Sequence, residues 1–173
     1  MFKGSSNRGI GHFRLLLPAM TLLIATALAS PSFAAGTVIN VSLWDKGTMA
    51  EMPTDLGFPA TGKDMSKVTM GIAVSADTVK AGEVTFEVLN SSKETVHEVI
   101  VAKLKNASTP LPYLAGDAKV DEDKAGVHLG EVSELDPGKT GALRLDLAPG
   151  TYLLYCNIPN HYMAGMWTVF TVK

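Results

Sequence analysis

The C-terminal part of the chain contains the stretch PGTYLLYCNIPNHYMAGMW, residues 149–167. Its first half has the period-2 alternation of a β-strand, which places Cys156 on the face that we expect to point into the core. Its second half brings a thiol, an imidazole and a thioether into one loop, from Cys156, His161 and Met166. Pro159 stiffens that loop, and the glycine before Met166 permits a bend. The stretch therefore predicts a strand that ends in a loop rich in metal-binding side chains.

Short segments rich in Val, Thr, Ile and aromatic residues recur through the rest of the chain, between clusters of Gly, Pro, Asn and Asp. Several of them alternate apolar and polar residues, as half-buried strands do. Asp-Pro-Gly and Ala-Pro-Gly sequences between apolar runs are typical of tight turns. We therefore predict an all-β fold, a Greek-key β-sandwich or flattened barrel of about eight strands. The strands are predicted near residues 38–43, 67–74, 83–89, 95–104, 127–135, 139–147, 151–156 and 167–172.

Residues 1–34 have the layout of a secretory signal peptide. Three cations precede an apolar run at residues 15–29, which is followed by the small-residue stretch SFA ending at Ala34. The apolar run is about 15 residues long, shorter than the roughly 20 that cross a bilayer as a helix. We expect cleavage after Ala34, export to the periplasm and no membrane span in the mature form, with retention as a membrane anchor as the alternative. Residues 35–173 are then predicted to form a single domain.

The net charge and the cysteine content limit the kinds of binding partner that we expect. The formal net charge of the chain is −2, and loss of the three cations of the signal peptide, which contains no acidic residue, gives −5. Because nucleic acid requires a basic surface, it is not an expected partner. The single cysteine, Cys156, is unusual for an exported protein, in which structural cysteines come in pairs. A lone thiol there is buried, paired between chains or bound to a ligand, and we expect a monomer.

The residue types around Cys156 favour copper. An ion that cycles between Cu(I) and Cu(II) is suited by a thiolate, two imidazoles and a weak axial thioether. The loop supplies three of these four groups. The second imidazole must come from another part of the chain, and residues 35–173 contain only His97 and His128 besides His161. His97 lies in a predicted strand near the middle of the domain.

This pattern closely resembles the cupredoxin family of type 1 blue-copper proteins. A Cys-x4-His-x4-Met loop with a histidine about 60 residues upstream is similar to the spacing in the rusticyanin and auracyanin branches of that family. The resemblance covers residues 67–173 and implies one copper per chain. The ligands that it implies are His97, Cys156, His161 and Met166. It further implies one-electron transfer, with His161 as a partly exposed ligand near which a redox partner protein docks. Since the same ligands serve both roles, periplasmic copper homeostasis or tolerance is the alternative.

Two features depart from the commoner family pattern. Glu98 stands directly after the first histidine, where many members have an Asn or Ser that braces the ligand loop. The second feature is a segment at residues 44–66, here called the extension, which carries Met49, Met52 and Met65. Their thioethers would suit a second Cu(I) site, or else fill gaps in a hydrophobic surface. The extension and residues 105–126 are both predicted to be loops over an end or edge of the sandwich.

Other chemistries fit the sequence less well. A cysteine nucleophile paired with His161 leaves Met166 without a role and lacks a third orienting group. A thioether is a poor zinc ligand, and structural zinc sites prefer more thiolates. The acidic stretch at residues 121–126 faintly resembles a calcium loop, but Ala125 and Val132 occupy positions where that loop needs oxygen ligands. Oxygen or nitrite reduction by a multicopper site needs further histidines, so we predict that the protein is not an enzyme.

Overall fold

The computed structural model describes residues 36–173, together with residues 1 and 4. Except for those two residues, the predicted signal peptide therefore lies outside the described residues. The strands are β1 Thr37–Asp45, β2 Met70–Val74, β3 Thr78–Val79, β4 Gly82–Asn90, β5 His97–Lys103, β6 Tyr113–Leu114, β7 Lys119–Val120, β8 Val127–Leu135, β9 Thr140–Leu147, β10 Gly150–Tyr155 and β11 Trp167–Val172. One short 3-10 helix spans Met65–Lys67. In the part of the chain that the structure describes, no helix has the length and apolar character needed to span a membrane.

The predicted strands are all present. The largest difference between a predicted and an observed strand boundary is at β2, which begins at Met70 instead of residue 67. Three further strands, β3, β6 and β7, have two residues each. They are too short to show the alternation that identifies a strand in a sequence. The β6–β7 pair lies within residues 105–126, and the 3-10 helix straddles the end of the extension.

Two sheets face each other. The first has the strand order β2-β1-β4-β9, and the second has the order β3-β11-β10-β5-β8. In β4 the alternation is regular, because Val84, Phe86 and Val88 are buried while the residues between them are more exposed. The inward side chains of both sheets form the main core, which includes Cys156 and Met166. The predicted all-β sandwich is confirmed.

The centre of the second sheet is buried on both faces. Its central strands β5 and β10 therefore show nearly continuous burial instead of alternation. On the outer face, Ile100, Leu153 and Tyr155 pack in a second hydrophobic cluster with Phe58 of the extension and Leu111 of the other long segment. Each large apolar side chain buried in this way contributes about 1.5–3 kcal/mol. These contacts attach the two long segments to the sandwich.

Strand directions bring distant residues to one end of the sandwich. β5 and β10 are antiparallel neighbours in which Tyr155 pairs with Ile100, so the start of β5 lies beside the end of β10. β1 and β4 are parallel, so the end of β1 also lies near the turn that leads into β5. This end therefore gathers the start of β5, the end of β1 and the loop between β10 and β11.

Candidate metal centre

Three metal-binding side chains converge at this end of the sandwich. Nδ1 of His161 lies 3.3 Å from Sγ of Cys156 and 3.3 Å from Nδ1 of His97. One potential ligand atom from each residue lies within 4.8 Å of the other two. Ligand atoms bound at about 2.0–2.3 Å from one transition-metal ion are roughly 3.3–3.8 Å apart. The three side chains, which are all buried, therefore fit a single ion.

Met166 is brought to the same place by the backbone of the loop. Its amide donates a hydrogen bond of 3.1 Å to the carbonyl of His161, and its carbonyl accepts one of 3.1 Å from the amide of Cys156. Its side chain is fully buried and belongs to the same core cluster as Cys156. All four residues that the sequence analysis selected therefore lie together.

His128, the other histidine left open by the sequence, lies elsewhere. It is in β8, opposite Ala102 of β5, and its ring nitrogens lie 3.6 Å from Glu122 and 3.9 Å from Glu131. This group is largely at the surface. Of the two histidines, only His97 lies beside Cys156 and His161.

A buried polar network fixes the turn before His97. The side-chain amide of Asn90 donates hydrogen bonds to the carbonyls of Thr95 and Leu135, at 2.8 and 2.7 Å. The hydroxyl of Ser92 donates to the same Thr95 carbonyl at 2.6 Å. Because His97 pairs with Leu135 at the start of β5, this network sets the direction from which the His97 ring enters the site.

The far side of the His97 ring contacts a carboxylate. Nε2 of His97 lies 2.9 Å from Oδ2 of Asp45, the last residue of β1. Sequence reasoning missed Asp45, because no local pattern connects it to a histidine 52 residues later.

Glu98 takes over the bracing role expected of Asn or Ser. Its Oε1 accepts a hydrogen bond of 2.9 Å from the backbone amide of Asn157, the residue after Cys156. The side chain of Asn157 accepts from the amide of Val120 and donates to the Val120 carbonyl and to Glu122. Burial raises the pKa of Glu98, and the Asn157 hydrogen bond partly offsets this effect. The ligand loop is thus tied both to β5 and to β7.

Burial also sets the protonation of the metal-free site. It raises the pKa of the Cys156 thiol from 9.0 to about 12, although the backbone amides of Glu98 and Ile158 partly lower it. Burial, with a smaller contribution from His97, lowers the pKa of His161 from 6.5 to about 4. Burial also lowers the pKa of His97, an effect that Asp45 partly offsets. At neutral pH both imidazoles are therefore neutral, whereas Cys156 must lose a proton when a metal binds.

The extension packs onto the ligand loop and the start of β11. The amide of Leu56 donates to the carbonyl of Met163 at 2.8 Å. Nε1 of Trp167 donates a hydrogen bond to the carbonyl of Leu56 at 2.7 Å. The hydroxyl of Tyr162 donates one to the carbonyl of Phe58 at 3.1 Å. These bonds hold the extension against the loop that carries His161.

His161 is less exposed than we predicted. Its relative exposure is only 5%, because the polypeptide around the end of β1 and the extension closes over it. A cavity of about 160 Å³ lies against His161, and Asp45, Thr69, Met52 and Met70 also line it. Access to this ligand from the surface is therefore through a small cavity.

The three methionines of the extension differ in their exposure. Met49 is fully exposed and Met52 is 38% exposed, whereas Met65 is half-buried. Met52 lines the cavity next to His161, but Met49 and Met65 are not among its lining residues. The cavity instead contains Met70, which the sequence analysis did not select.

A β-sandwich that gathers a cysteine, two histidines and a methionine at one end defines a mononuclear copper protein of the cupredoxin type. Comparison with family models supports this class. The model of copper-binding proteins of the plastocyanin/azurin family matches residues 61–173. The chain belongs to that family, and its cofactor is copper.

Similar solved structures include two auracyanins and a rusticyanin. Auracyanin from Roseiflexus castenholzii is 20% identical, with 81% of this chain and 98% of that chain covered and a TM-score of 0.47. Rusticyanin from Thiobacillus ferrooxidans is 17% identical, with 80% and 79% covered and a TM-score of 0.49. Auracyanin A from Chloroflexus aurantiacus is 19% identical, with 80% and 100% covered and a TM-score of 0.48. No curated protein sequence matches the chain.

Proposed function

We propose that the protein transfers single electrons by means of one copper ion per chain. His97, Cys156 and His161 would supply its strong ligands, and Met166 would be the axial ligand. The observation that carries this proposal is the convergence of one thiol and two imidazole Nδ1 atoms in a buried site. When bound, copper supplies a Cu(I)/Cu(II) couple to which this donor set is suited.

The contribution of the polypeptide is to fix the donor atoms in advance. The Asn90 network fixes the turn before His97, and the hydrogen bond from Asn157 to Glu98 fixes the start of the ligand loop. The backbone bonds of Met166 close the loop on itself. A donor set held in this way changes little when the charge at its centre changes, so each electron transfer is accompanied by little reorganisation. Burial of the site also excludes water from the donor atoms.

The proposal also includes the cellular location of the protein, its oligomeric state and the absence of enzymatic activity. We infer that the chain is exported to the periplasm after cleavage behind Ala34, that it is a monomer, and that it is not an enzyme. The signal-peptide pattern of residues 1–34 supports export. A redox partner protein would dock over the cavity next to His161, where Met52 is exposed.

Voltammetry of the copper-loaded protein tests the function. The wild type should give a reversible couple of one electron per copper. The H97A variant should lose that couple, whereas the H128A variant should retain it, because His128 lies outside the site. A wild type without a reversible couple, or loss of the couple in H128A alone, would contradict the proposal.

Copper homeostasis is the second candidate function. The observation that favours it is a methionine, Met52, that is exposed at the surface and also lines the cavity against His161. Thioethers select Cu(I), so Met49 and Met52 would provide an additional Cu(I) site. Titration should then show more than one Cu(I) per chain, with the excess lost in the M49A/M52A double variant and retained in M65A. A stoichiometry of one in the wild type would contradict this second function.

A further inference from the structure

Asp45 is held rigidly against the copper site. Its Oδ2 lies 2.9 Å from Nε2 of His97, and its Oδ1 accepts a hydrogen bond of 2.7 Å from the amide of Gly47. Thr95 lines the same small cavity as Asp45. The Asp45 side chain is only 5% exposed and that of His97 is fully buried. Two donors from different parts of the chain, the amide of Gly47 and the ring of His97, thus fix the orientation of the carboxylate.

The contact determines which nitrogen of His97 is available. The carboxyl group of an aspartate is ionised at neutral pH, and here its Oδ1 faces the amide of Gly47 while its Oδ2 faces Nε2 of His97. An ionised carboxylate can only accept hydrogen bonds. The His97 proton must therefore lie on Nε2, which leaves the lone pair on Nδ1, the atom that faces His161.

The contact also places a negative charge beside the site. A negative charge stabilises a dipositive ion more than a monopositive one. A carboxylate behind a metal-binding histidine also fixes the ring and raises the basicity of the ligand nitrogen. Both effects favour Cu(II) over Cu(I).

We propose that Asp45 is a positioning residue of the copper site, which fixes the Nδ1-binding tautomer of His97 and lowers the reduction potential. This inference rests on the proposed function, because it takes His97 to be a copper ligand. It adds a residue from β1, outside the ligand loop and β5, to the groups that tune the metal.

Two variants separate the effect of the hydrogen bond from the effect of the negative charge on Asp45. D45N keeps an oxygen that can accept from Nε2 but removes the negative charge, whereas D45A removes both. E51Q is the matched control, because it removes one negative charge from an exposed residue of the extension. The copper-free proteins are compared by ¹⁵N NMR of the His97 ring, and the copper-loaded proteins by voltammetry and by Cu(II) competition titration.

In the copper-free wild type and D45N, the His97 proton should be on Nε2, and in D45A both tautomers should be populated. Changes behind a metal-binding histidine typically weaken metal binding 10–100-fold. We expect D45N to lower the Cu(II) affinity relative to the Cu(I) affinity by roughly tenfold, which raises the potential by about 59 mV. D45A should raise the potential at least as much. E51Q should leave the His97 tautomer, the reduction potential and the Cu(II) affinity near those of the wild type.

The proposal is overturned if D45N has the same potential as E51Q, or if D45A keeps the wild-type tautomer. These failures are distinct from failure of the proposed function. If the wild type bound no copper, the voltammetry would show it, while the NMR of the copper-free protein would still report whether Asp45 orients His97. Should D45A not fold, D45N still tests the effect of the charge on the potential.

Discussion

Replacing Glu98 by alanine should destabilise the protein by removing the brace of the ligand loop. The backbone amide of Asn157 is buried and donates to Glu98 Oε1 at 2.9 Å. In E98A that amide has lost its acceptor, and a buried donor without a partner costs about 1–3 kcal/mol. In E98Q a side-chain oxygen can still accept, and the ionised carboxylate that burial disfavours is gone. We therefore expect E98A to lose about 1–3 kcal/mol and E98Q to be at least as stable as the wild type.

Urea unfolding of the copper-free proteins at neutral pH measures these differences without any contribution from metal binding. The matched control is E87A, which truncates an exposed glutamate of β4 and should change the free energy of unfolding by less than about 0.5 kcal/mol. An E98A variant that unfolds with the same free energy as E87A would refute the bracing role of Glu98. So would an E98Q variant as unstable as E98A.

Three further predictions concern the metal site and the extension that packs against it. Copper binding at pH 7–8 should release about one proton per ion, because burial raises the pKa of the Cys156 thiol to about 12 whereas both imidazoles are already neutral. A pH indicator in weak buffer measures the number of protons released. Release of two protons per ion would contradict the prediction. G165A should lose about 1–3 kcal/mol, because Gly165 has a φ of +97° and a Cβ there would lie 2.8 Å from Val68. G62A, which shares a positive φ but has open space around it, is the control in the same unfolding assay and should lose less. W167F should increase hydrogen exchange in the extension, because the bond from Nε1 to the Leu56 carbonyl is lost; unchanged exchange would show that this bond does not hold the extension.

The strands and the ligand loop were predictable because their signals are local. Alternation identifies β4, and Cys156, His161 and Met166 occupy one short stretch of sequence. His97 could be selected only by resemblance, because its approach to the loop depends on the pairing of β5 with β10.

Other contacts of the site leave no trace in the sequence. Asp45 and His97 meet because β1 ends where β5 begins, which depends on the order of strands in two sheets. The burial of His161 was missed for a related reason. The extension is held partly through the backbone carbonyls of Leu56 and Phe58, and every residue has a carbonyl, so no residue type marks these contacts.

The visible spectrum of the Cu(II)-loaded protein tests the central claim most directly. If Cys156 binds copper together with two histidines, the wild type should show intense thiolate-to-copper absorption. C156A should lose this absorption completely, whereas H128A should retain it, because His128 lies with Glu122 and Glu131 outside the site. A colourless wild type, or a C156A variant with unchanged copper affinity, would contradict the account.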